Sequence, residues 1–160
     1  MPRTEAGLDV ESIRWFEDFH VDEAIALGER TITREEIIDF ARRWDPQPMH
    51  LDEAAGDASL LHGLSASGWH TGCLLMRMFC DDVLLNSASL GSPGIDSLKW
   101  RRPVHPGDRL RARLEVLSKR TSANRPRLGL VQGRFTVENQ RGEVVMVMDS
   151  TLMLERRERS

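Results

Sequence analysis

Residues 68–85 read GWHTGCLLMRMFCDDVLL, and this run decides the fold. Trp69, Cys73, Leu74, Leu75, Met76, Met78, Phe79, Cys80, Val83, Leu84 and Leu85 cover most of a helix's circumference. Such a helix is expected to be buried almost all round, at least over its first turns, with Asp81 and Asp82 marking its exposed end. Something must wrap it. Downstream, past a polar loop at residues 86–97, the apolar period changes to two. Leu110, Ala112, Leu114 and Val116 alternate with Arg109, Arg111, Arg113 and Glu115, the pattern of a strand with one wet face. Further strand-like runs lie around residues 95–104, 128–138 and 143–155. Short turns part them at Pro106-Gly107-Asp108, at residues 122–126 and at Gln140-Arg141-Gly142. Short turns favour an antiparallel meander. One apolar helix and such a sheet imply an α+β fold in which a curled antiparallel sheet wraps one long apolar helix.

Upstream of the helix, residues 1–13 are polar and unpatterned, and a frayed start is expected there. Trp15, Phe16 and Phe19 then open a segment able to lie against the core. Residues 29–32 form a short strand, and Thr33 with Glu36 has the spacing of a capping box. The helix that follows shows Ile37, Ile38, Phe40, Ala41 and Trp44 at helical spacing until Asp45 and Pro46 stop it. Proline disfavours helical geometry in the residue before it, so Asp45 belongs at the helix end. Residues 46–52 carry a second proline and read as an extended turn, with a short helical piece around residues 51–55.

Bulk properties narrow the function classes. The 160 residues fit one domain, residues 1–160, and the mix of 40% hydrophobic with 29% charged residues is that of a soluble globule. With 22 basic and 25 acidic side chains interspersed, net charge −3, there is no electrostatic footprint for nucleic acid. Neither a signal peptide nor a membrane span is legible, so a cytoplasmic protein without a membrane partner is expected. Cys73 and Cys80 on one helix would stand about 10.5 Å apart by helical rise, beyond the roughly 7 Å reach of a disulfide. They read as buried small hydrophobes. No pair among His50, His62, His70, His105, Asp45 and Asp52 has a metal-site spacing, so no metal is expected.

Residues 44–52 read WDPQPMHLD and place an acid, Asp45, and an imidazole, His50, in one proline-bounded turn. Prolines restrict the backbone, so both side chains can be held with little entropy left to lose. An acid beside a histidine can hold a water and move protons, which suits addition of water to an activated alkene. Spacing by itself favours the plainer reading, a helix-end aspartate and an ordinary surface or packed imidazole.

Asp45-x-Gln47-Pro48-x-His50-x-Asp52, followed by Ala54 and Ala55, resembles the signature of MaoC-like dehydratases and R-specific enoyl-CoA hydratases, Asp-x-Asn-Pro-x-His-x-Asp/Glu and then alanine. Gln47 stands where the family usually has asparagine. Residues 100–108, WRRPVHPGD, are similar to the family's approach to its next strand. The resemblance implies a hot-dog fold, with the long helix as the sausage, and dimers formed by joining two sheets edge to edge. It also implies reversible hydration of a trans-2-enoyl thioester to a 3-hydroxyacyl thioester, R-specific, with Asp45 and His50 as catalytic residues and Gln47 supporting them. Acyl-CoA is then the substrate, with coenzyme A part of it and no separate cofactor. An oxyanion partner is also implied, because backbone N–H groups at a helix start can stabilise charge on the thioester oxygen. The family's Ala-His-Gly maps onto Leu61-His62-Gly63 or onto Ala66-Ser67-Gly68. The second fits the helix start better and nominates the Gly68 N–H, with Ser67 in place of histidine and His62 at the lip. Both glycines equally suit plain turns. Arg101, Arg102, Lys119, Arg120, Arg125 and Arg127 are cations available to coenzyme A phosphates. Trp69, Met76, Met78 and Phe79 are candidate pocket walls, and His70 a satisfied core or interface histidine. Two other functions fit the same fold: a thioesterase, whose acid commonly sits on the central helix, and a non-catalytic acyl-thioester-binding subunit.

Overall fold

The computed structural model describes residues 13–157; the frayed start expected at residues 1–13 thus lies outside the described residues except for Ile13. Strand β1, Ala24–Thr31, is longer than the stretch 29–32. Ala24 and Ala26 face outward but do not contrast with Ile25 and Leu27, so the alternation is hidden in the sequence. Helix α1, Arg34–Trp44, starts on the expected capping box. Thr33 Oγ1 accepts from the Glu36 N–H at 3.2 Å, and the Glu36 carboxylate accepts from the Thr33 N–H at 2.8 Å.

The extended turn expected next is replaced by one helical turn, α2, Pro48–Leu51. Proline at a first helical position loses no needed hydrogen bond, and Gln47 before it is extended, so both prolines are satisfied by this arrangement. Helix α3, Glu53–Asp57, follows, with Asp52 Oδ1 accepting from the Ala54 N–H.

Helix α4, Gly68–Asp82, is the long one. A single 3-10 turn, Leu84–Asn86, and the three-residue strand β2, Ser89–Gly91, occupy the expected polar loop. Strands β3, Ile95–Trp100, β4, Arg109–Thr121, β5, Leu128–Glu138, and β6, Val144–Glu155, complete the sheet. Its order is β1-β4-β5-β6, and β3 and β2 both lie on the far side of β6, against different parts of it. Every pairing between these strands is antiparallel.

The sheet curls over α4. Leu110, Ala112, Leu114 and Val116 of β4 point inward as their alternation predicts, and Phe79 of α4 meets Phe135 of β5 edge to face at 4.9 Å. Leu75, Met78 and Phe79 are buried by this contact, at roughly 1.5–3 kcal/mol each. Phe16 and Phe19 close one end of the same core. Cover is one-sided, however, because one sheet shields one face of a helix. Trp69 and Met76 remain 59% and 47% exposed, and Cys73 is exposed with Cys80 half-buried, so neither the all-round burial nor the buried thiols hold. No helix among the described residues is long and apolar enough to cross a membrane.

Candidate active site

The end of α1, the turn α2 and the segment leading into α4 meet at one place. Asp45 caps α1 through its N–H to the Ala41 carbonyl, and one turn of α2 later His50 points back toward it. His50 Nε2 lies 3.5 Å from Asp45 Oδ2, with both side chains largely enclosed. The other ring nitrogen, Nδ1, is 2.7 Å from the carbonyl oxygen of Ser65. A carbonyl only accepts, so Nδ1 carries a hydrogen and donates it. In the neutral ring Nε2 is then a bare acceptor facing a carboxylate, a pair whose gap suits a donor to both.

Asp45 is held ionised. Burial pushes its pKa up, but the Gln47 amide, the Ser67 hydroxyl and the imidazole of His50 outweigh that and leave it below the usual aspartate value. Gln47 Nε2 donates to Asp45 Oδ1 at 2.7 Å. The longer side chain standing at the motif's asparagine position therefore reaches the acid directly.

The segment carrying Ser65 is stitched in on both sides. The Ser65 N–H reaches the Met49 carbonyl at 3.3 Å and the Ala66 N–H the Val104 carbonyl at 2.8 Å, while His105 Nδ1 lies 3.0 Å from the Leu64 carbonyl. Beside this stitch opens a cavity of about 320 Å³ lined by His50, Ser65, Gly68, Thr71, Trp100 and Arg101 among others. It is a mostly apolar recess with a few converging polar groups, the ordinary form of a small-molecule site.

The MaoC like domain family matches residues 18–138, three quarters of the chain and the whole of this site. The chain belongs to that family. Among solved MaoC-like structures, a dehydratase from Rhodospirillum rubrum is 35% identical, covering 91% of this chain and 99% of that one at a TM-score of 0.80. An (R)-hydratase from A. caviae involved in PHA biosynthesis shares the fold at a TM-score of 0.70, with 20% identity over 86% of this chain and 98% of that one. The uncharacterized protein YdeM of Bacillus subtilis is 23% identical over 140 residues, 88% of this chain and 98% of its own. The fold is the hot dog, six curled antiparallel strands against one long helix.

Within this MaoC-like frame the predicted residues fall as follows. Asp45, Gln47 and His50 converge; of these His50 lines the cavity, as does Gly68, the first residue of α4, whereas Asp45 and Gln47 are not among the lining residues. Gly63 does not line it; with φ +128° after His62 at φ +56°, it serves a turn. His62 is exposed and is not among the cavity-lining residues. Glycine at 68 is required for a reason other than substrate approach. A Cβ there would stand 2.4 Å from Trp100 Cε2, so the indole occupies the space a side chain would need. None of Trp69, Met76, Met78 and Phe79 lines the cavity; Trp100, Leu61, Thr71 and Val104 do, because the recess lies at the head of α4 and not along it.

Among the cations, Arg101 and Arg102 border the cavity, whereas Lys119 donates to the carbonyls of Phe16 and Phe19 and belongs to the structure. His70 is buried and stacked on Phe40 at 4.6 Å, but its Nδ1 has no partner, so it is a core histidine that is not satisfied within the described residues. No group of three or more His, Cys, Asp or Glu gathers as metal ligands among the described residues.

Proposed function

We propose that the chain is a hydro-lyase that reversibly adds water to a trans-2-enoyl thioester of coenzyme A, giving a (3R)-hydroxyacyl thioester. The observation that carries this reading is the facing pair of acceptors, His50 Nε2 and the Asp45 carboxylate, with His50 in the wall of an apolar cavity. A water donating to both presents its oxygen lone pair to the cavity. In hydration that oxygen bonds the β-carbon, the alkene electrons move to the α-carbon, and the proton left with the His50–Asp45 pair passes to the α-carbon. The pair ends as it began. Charge that develops on the thioester oxygen meets the Gly68 N–H, which at a helix's first position has no intrahelical acceptor. Arg101 and Arg102 at the rim supply positive charge for an anionic carrier. No cofactor is required, since coenzyme A arrives with the substrate.

The thioesterase reading is less well supported, because the acids of α4, Asp81 and Asp82, lie at the helix end opposite Gly68. The hot-dog resemblance also favours a second copy as partner, joined edge to edge. The exposed apolar side chains of Trp69, Met76, Ile95 and Trp100 fit such a use.

The test is to mix the protein with crotonyl-CoA and longer enoyl-CoA esters and follow loss of enoyl absorbance beside a thiol-release assay. Loss of absorbance in wild type, abolished by Asp45→Asn and His50→Ala, is expected. Thiol release, saturable binding without turnover, or full activity of both variants overturns the hydratase reading.

A further inference from the structure

Among the described residues, three buried side-chain polar atoms have no hydrogen-bond partner: Ser65 Oγ, Ser67 Oγ and His70 Nδ1. Two of them belong to the segment that builds the site, and the third packs between helices. Ser67 is the more telling, being fully enclosed at the N-cap of α4. A serine in that place ordinarily turns its oxygen back to accept from an N–H of its own helix. Here the side chain makes no capping bond. Its hydroxyl is left enclosed and without a hydrogen-bond partner, in the same segment whose Ser65 carbonyl holds the His50 ring, and it helps to keep the Asp45 carboxyl ionised.

We propose that Ser67 is a positioning residue for the hydration step: its buried hydroxyl donates to the Asp45 carboxylate and fixes the oxygen that receives the proton of water. The inference rests on the hydratase reading above. Gln47 already holds Oδ1, and Oδ2 faces His50. A carboxylate accepts several donors, and a second one removes its freedom to swing about the Cβ–Cγ bond. Catalytic hydrogen bonds that are loose in an empty site commonly tighten around the substrate.

The experiment uses Ser67→Ala, Ser67→Cys and Ser67→Thr in the full chain, read in two ways. With crotonyl-CoA, kcat of Ser67→Ala falls roughly ten- to hundredfold, the range for a hydrogen bond to a charged group, while KM changes little. The titration midpoint of Asp45, followed by carboxyl carbon-13 NMR and assigned with Asp45→Asn, moves upward in Ser67→Ala. Ser67→Thr, which keeps the hydroxyl, returns both toward wild type, and Ser67→Cys serves if the alanine variant does not fold. An unmoved Asp45 midpoint overturns the proposal, whether or not the variant is slower, because lost packing alone would slow it without touching the titration. If wild type turns over no enoyl thioester, the hydratase reading fails by itself. The carboxyl titration still decides Ser67, an upward move supporting its contact with Asp45 and an unmoved one refuting it.

Discussion

At the scale of single residues, the division of labour around Asp45 sets the pH behaviour. Gln47 and Ser67 hold its carboxyl below the ordinary aspartate value against the opposing effect of burial. A lowered pKa means that the ionised form persists on acidification, so activity that depends on this carboxylate is lost only below the usual aspartate range. Gln47→Ala removes one donor and moves that limb upward, which a profile of kcat/KM against pH measures. Asp45→Asn and His50→Ala are expected to lower kcat by about 10²–10⁴-fold, the usual contribution of a positioned acid or base. Gly68→Ala forces a methyl into the Trp100 indole and is expected to cost about 1–3 kcal/mol in urea unfolding, together with activity. The Asp45 and His50 pair was legible in the sequence because two prolines and a motif mark it. The part of Ser67 was not, since a serine before a helix reads first as a cap, and only its enclosed, unbonded hydroxyl contradicts that.

At the scale of elements, α1 and α4 meet through the stack of Phe40 on His70. Desolvation lowers the His70 pKa, only partly opposed by Glu36. The unfolded chain then binds more protons than the folded one as pH falls past the ordinary histidine value, so stability falls with it. Melting curves between pH 8 and about pH 5 are expected to show this loss, and His70→Phe to flatten the slope. Thr33→Ala, which opens the capping box of α1, is expected to cost about 1 kcal/mol. Elements with strong contrast were readable: β4 alternates cleanly, and α1 carries its own start signal. The first half of β1 was hidden by alanines, and β2 is too short to show a period. Pro48 misled in another way, because it starts a turn of helix as readily as it prevents one.

At the scale of the whole molecule, the sheet covers one face of α4 and, among the described residues, leaves Trp69 and Met76 of that helix exposed. Sequence could not show this, since an apolar position reads alike whether its cover comes from the same chain or from another. The dimer proposed above would have to bring its second copy over that exposed face as well as along the sheet edge, and sedimentation is expected to give twice the 18.2 kDa chain mass. Met76→Glu, which places a charge on the uncovered face without touching the cavity, is expected to shift the equilibrium toward monomer. A wild-type monomer at working concentration sinks that expectation.

The packing of Trp100 across Gly68, with Trp69 edge-on to it at 5.2 Å, makes the chain an optical instrument for its own site. The sequence has no tyrosine and four tryptophans, of which Trp100 lines the cavity and Trp69 packs against Trp100. Near-ultraviolet emission is thus a tryptophan signal with one emitter in the cavity wall and another in contact with it. Filling the recess with a spectroscopically silent acyl thioester analogue should shift that emission, and Trp100→Phe should remove most of the change. The light itself then titrates occupancy, without any turnover.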